Sequence, residues 1–83
     1  MLRASRKTIE RSRTVEILNL RFTPERALAV THGESDHLTW MTLDGSDQFC
    51  SCVFYEHHPF LCEHLVYLAQ AVLGLSIKVV PFD

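Results

Sequence analysis

Cys50-Ser51-Cys52, nine intervening residues, then Cys62-Glu63-His64 is the stretch that organises this chain. Asp44-Gly45 just upstream is the strongest hairpin signal present and returns the chain into a strand, Gln48–Phe54. Residues two apart on a strand point to one face, so Cys50 and Cys52 present both sulfurs to the same side. The second pair falls at the start of an apolar helix, Phe60–Leu73, where both side chains can turn back toward the preceding loop. A hairpin edge and a helix start thus supply four soft ligands, the set that tetrahedral zinc prefers.

Other readings of these residues fit less well. Buried filler cysteines would not fall into two Cys-x-Cys/His pairs. A disulfide framework is disfavoured by the odd cysteine count. A Cys62–His64 nucleophile and base would leave Cys50 and Cys52 unexplained. The fourth ligand has rivals, because His57 and His58 lie between the pairs and either could replace His64; His64 is preferred because it completes the second pair. His32 and His37 flank the turn at residues 33–36, as surface strand ends or as a weak second metal site.

Outward from the cysteines, Thr14–Phe22, Ala27–His32 and His37–Leu43 read as strands. Thr23-Pro24-Glu25 reads as a turn or a single helical turn, and Leu28 with Val30 and Leu38 with Trp40 mark strand faces. On the helix, Leu61, Leu65, Leu68 and Val72 form an apolar stripe, and Gly74 stands where a C-terminal cap belongs. Ser76–Phe82 is strand-like, with Pro81 confining it to an edge. The expected fold class is α+β: a small antiparallel sheet of three to four strands followed by one α-helix, stapled by a zinc finger of ββα type, with a possible C-terminal edge strand.

At 83 residues the chain is one domain, and a core this small needs a staple. Apolar residues make up 47%, which excludes a disordered chain. No apolar run approaches the ~20 residues that span a bilayer, and no signal-peptide core follows the charged N-terminus. A cytoplasmic protein without membrane contact is expected. The charge is unevenly placed: residues 1–13 carry Arg3, Arg6, Lys7, Arg11 and Arg13 against Glu10, net +4. Residues 14–83 carry three basic and nine acidic side chains, net −6. The division is a basic N-terminal arm, 1–13, and a single zinc-binding domain, 14–83.

The order Cys-x-Cys, loop, Cys-x-His resembles the SWIM-type zinc finger, here Cys50-Ser51-Cys52 … Cys62-Glu63-His64. The flanks are similar too: a strand, Leu38–Leu43, runs up to the first pair, and the apolar helix His64-Leu65-Val66-Tyr67-Leu68-Ala69 follows the second. The resemblance covers residues ~37–74. It implies a structural zinc and binding to DNA or to a protein that acts on DNA. SWIM fingers mostly sit inside larger proteins, and this chain has no ATPase, no transposase carboxylates and no phosphate-binding loop, so their enzymatic activities do not carry over. Two functions follow as expectations. One is nucleic-acid association led by the basic arm, which should be lost without loss of zinc when residues 1–13 are deleted. The other is a protein–protein adaptor for a DNA-processing factor. Catalysis is not expected, nor a small-molecule substrate, because four protein ligands leave zinc no open position.

Overall fold

The structure, a computed structural model, describes residues 2–53 and 60–81. Its centre is a four-stranded antiparallel meander: β2 (Glu16–Phe22), β3 (Arg26–His32), β4 (Asp36–Thr42) and β5 (Gln48–Cys50). The β2–β3 turn is held by Thr23, whose hydroxyl oxygen accepts the Glu25 and Arg26 N–H groups at 3.3 and 3.1 Å. At the β4–β5 turn Gly45 takes φ 77°, a conformation that suits glycine. Asp44 closes that turn by accepting the Ser46 N–H at 2.9 Å and the Thr42 hydroxyl at 3.0 Å. The Ser46 contact first, then Thr42, holds the Asp44 carboxyl below its ordinary value. That contribution is present at neutral pH and fades as pH falls through the lowered value.

The helix expected over 60–73 starts later and changes pitch. Its α-helical part, α2, spans Glu63–Tyr67 with Cys62 as N-cap, and a π turn continues it over Leu68–Val72. It ends as expected at Gly74, φ 66°, across which the Leu75 N–H returns to the Ala69 carbonyl at 2.8 Å.

The helix covers the face of the sheet opposite to Leu28, Val30, Leu38 and Trp40. Ala27, Ala29, Thr31, Thr39, Met41 and Cys50 are buried on this face, and Ala27, Ala29, Met41 and Cys50 share one core with Leu65, Leu68 and Ala69 from the helix. Small side chains on β3 let the helix approach closely, and the larger β-branched and aromatic residues are left on the outer face.

Residues 2–13 do not trail away from this body. Arg3–Ser5 forms β1 and Arg6–Ser12 forms α1. β1 pairs in parallel with β6 (Lys78–Val80), Arg3 opposite Lys78 and Ser5 opposite Val80. On its other side the Arg3 carbonyl accepts the Leu61 N–H at 2.9 Å. Ser5 caps α1, its hydroxyl oxygen accepting the Thr8 N–H at 3.1 Å. Leu2, Ala4, Thr8 and Ser12 are buried, so α1 is docked through one face and packs on α2. The expected C-terminal strand is therefore present; Phe82 lies outside the described residues, as do Phe54 and the loop histidines.

Candidate metal centre

The four predicted ligands come together. The sulfurs of Cys50, Cys52 and Cys62 and a ring nitrogen of His64 all lie within 4.8 Å of one another, and all four residues are buried. Corners of a tetrahedron with bonds near 2.3 Å are separated by roughly 3.8 Å. His64 Nδ1 stands 3.7 Å from Cys50 Sγ, at that spacing. The group could hold a metal ion, and no disulfide competes, since all three cysteines are free.

Each ligand is placed by local structure. Cys50 ends β5, opposite Thr39. The ladder stops at Cys50 and the chain bends at Cys52, before the expected end of that strand; Phe54 lies outside the described residues. Cys52, beyond the end of the strand, nonetheless brings its sulfur to the same cluster as Cys50. Cys62 is the N-cap of α2 and His64 its second residue, so the first helical turn carries both.

A polar shell backs the cluster. Thr39 Oγ1 lies 3.6 Å from Cys50 Sγ and 3.0 Å from Thr31 Oγ1, and the Thr31 hydroxyl donates to the His37 carbonyl. His37 packs its ring on His64 at 4.7 Å and takes Ser35 and Ser51 as side-chain partners, whereas His32 pairs with Asp36 at 2.6 Å. The two histidines therefore serve different neighbours and do not converge on a second site. Nothing in the spacing marks His37 as a buttress for His64; only the fold brings the two rings together. Gly33 stands over the far side of His64, where an added Cβ would meet Nε2 at 3.2 Å.

The thiols share protons unequally. Cys62 donating to Cys50 pulls the Cys50 thiol down to about 3, with His64 and Thr39 adding to the effect against the cost of burial. The same bond, with burial, pushes Cys62 up. The proton held between the two sulfurs is the one a metal ion would displace.

His57 and His58 lie outside the described residues. His64→Ala is expected to abolish metal retention, while the double change of His57 and His58 to Ala leaves one equivalent bound after dialysis. Metal analysis of the two variants decides; the reverse pattern would move the fourth ligand into the loop.

The fold and site define a small α+β domain with a buried Cys3His cluster suited to a metal ion. Comparison with protein-family models, curated proteins and solved structures finds no match. No helix among the described residues is long and apolar enough to cross a membrane.

Proposed function

We propose that the protein is a binding module built around one structural zinc ion, and that it contacts nucleic acid through the basic face of α1. Three thiolates and an imidazole are the donor set zinc favours, and four protein ligands close its coordination. The ion then has a structural role and no catalytic one. The ligand order follows the SWIM pattern, which favours the same reading. Free thiols in a ligand arrangement suit a reducing compartment such as the cytoplasm.

The observation that carries the nucleic-acid reading is the placement of the cations. Arg3, Arg6, Lys7, Arg11 and Arg13 are all exposed on or beside one short element whose opposite face is buried. The docked helix keeps its cations at the surface, Arg6 and Lys7 beside Glu10 and the C-terminal strand, and Arg11 beside Glu34 and Glu63. The rest of the body is acidic and repels phosphate, so binding is weak and indifferent to base sequence.

Labelled single- and double-stranded oligonucleotides at two salt concentrations test this. Each phosphate contact contributes a slope of roughly 0.7–0.9 in log affinity against log salt. Arg6→Gln, Lys7→Gln and Arg11→Gln together should remove binding while metal content and far-UV dichroism stay unchanged. No binding by the intact protein at the lower salt overturns the reading in favour of a protein adaptor. That second reading rests on the outer sheet face, where Leu38 and Phe49 are exposed beside Leu28, Val30 and Trp40.

A further inference from the structure

β2 is an edge strand, with β3 as its neighbour in the sheet. It carries three large apolar residues in the open: Leu18, Leu20 and Phe22, at 54%, 38% and 58% exposure. Natural edges are usually blunted by lysine, proline or an inward-pointing charge. β2 contains no lysine and no proline, and its two charges, Glu16 and Arg21, lie on the outer face of the sheet with their partners His32 and Leu28.

The register of β2 is irregular. Ile17 pairs with Thr31 and Asn19 with Val30, which leaves Leu18 unmatched as a bulge. The extra residue resets the alternation. Glu16 and Arg21, five positions apart, would face opposite ways in a regular strand; here they share the outer face. Ile17 and Leu20 share the inner face, opposite Thr31 and Ala29.

We propose that a second copy of this chain is the occupant of this edge, and that two β2 strands pair antiparallel about a two-fold axis to form one continuous eight-stranded sheet. The register follows from the side chains. With Glu16 opposite Arg21 of the second copy, Ile17 falls opposite Leu20. Acid meets base on the outer face and apolar meets apolar on the inner face, and the symmetry repeats each pair. Placing Asn19 on the axis would instead set Ile17 against Arg21, inner face against outer. The bulge thus makes β2 complementary to itself. This inference goes beyond nucleic-acid contact and shares no residue with the α1 patch.

Sedimentation velocity of the zinc-loaded full chain from micromolar to millimolar concentration tests it. The wild type should dimerise. Arg21→Glu sets like charges opposite each other at both symmetric positions and should weaken self-association by on the order of tenfold or more. Glu16→Arg should do the same, and the double variant, which exchanges the charges, should recover dimerisation. A monomeric wild type throughout the range overturns the proposal. So does a dimer that neither single change weakens, or a double variant that fails to recover with zinc content and dichroism at wild-type values. If a variant does not fold, amide shifts of the wild type on dilution replace it: changes centred on residues 16–22 support the interface, and changes elsewhere overturn it.

Discussion

Chelation that strips the metal from Cys50, Cys52, Cys62 and His64 is expected to unfold the domain, with collapse of the thermal transition and loss of helical dichroism. Cys62→Ala should have the same effect. Structural zinc contributes an apparent binding free energy of roughly 10–16 kcal/mol at neutral pH. The net stability of an ordinary domain is only about 5–15 kcal/mol, so the ion can account for all of it. The geometry says why the loss is global here. Two ligands come from the end of β5 and two from the first turn of α2, and Cys50 and Cys62 are core residues as well as ligands. Without the ion, sulfurs and an imidazole are buried against one another with only weak S–H bonds between them. Restoring one equivalent of zinc should restore the transition. A melting temperature that survives metal loss, verified by elemental analysis, would make the ion incidental.

Deleting residues 1–13 is expected to destabilise the domain severely, and metal retention should fall with it. This reverses the expectation drawn from charge alone, in which a basic arm could be removed with the zinc left in place. The deletion takes Leu2 and Ala4 out of the core, and burial of one leucine alone is worth about 1.5–3 kcal/mol. It exposes the face of α2 that α1 covers and removes the partner strand of β6. It also removes the Arg3 carbonyl that holds the Leu61 N–H, the residue before the ligand Cys62. Thermal melts with metal analysis of the truncated chain test this. A truncated protein with the full chain's melting temperature and one zinc would show that β1 and α1 are ornaments on the fold. For the same reason the nucleic-acid reading is tested by neutralising side chains on α1 and not by truncation.

The sequence was informative wherever structure is specified locally. Strands at 16–22, 26–32 and 36–42 lie within a residue or two of their expected positions, because alternation and turn chemistry at Thr23 and Gly45 mark them. The convergence of Cys50, Cys52, Cys62 and His64 was readable from spacing. What failed to register was set by distant partners. Residues 3–12 are polar and charged with too few apolar positions to show a period, and β1 is a strand only because residues 78–80 lie beside it. The covered face of the sheet was also hidden. Leu28, Val30 and Trp40 look like core residues, but Ala27 and Ala29 are what the helix rests on, since their small size is the asset. The switch from α to π over Leu68–Val72 left no mark in the apolar spacing.

The parallel contact of β1 with β6 also bears on the order of assembly. Arg3 meets Lys78, so nearly the whole chain must be in hand before that ladder can close. The meander needs only neighbouring hairpins, and all four metal ligands lie between residues 50 and 64. Closing the longer loop costs more entropy and is rewarded later. The β1–β6 ladder is therefore expected to close after the meander and the Cys/His cluster have formed.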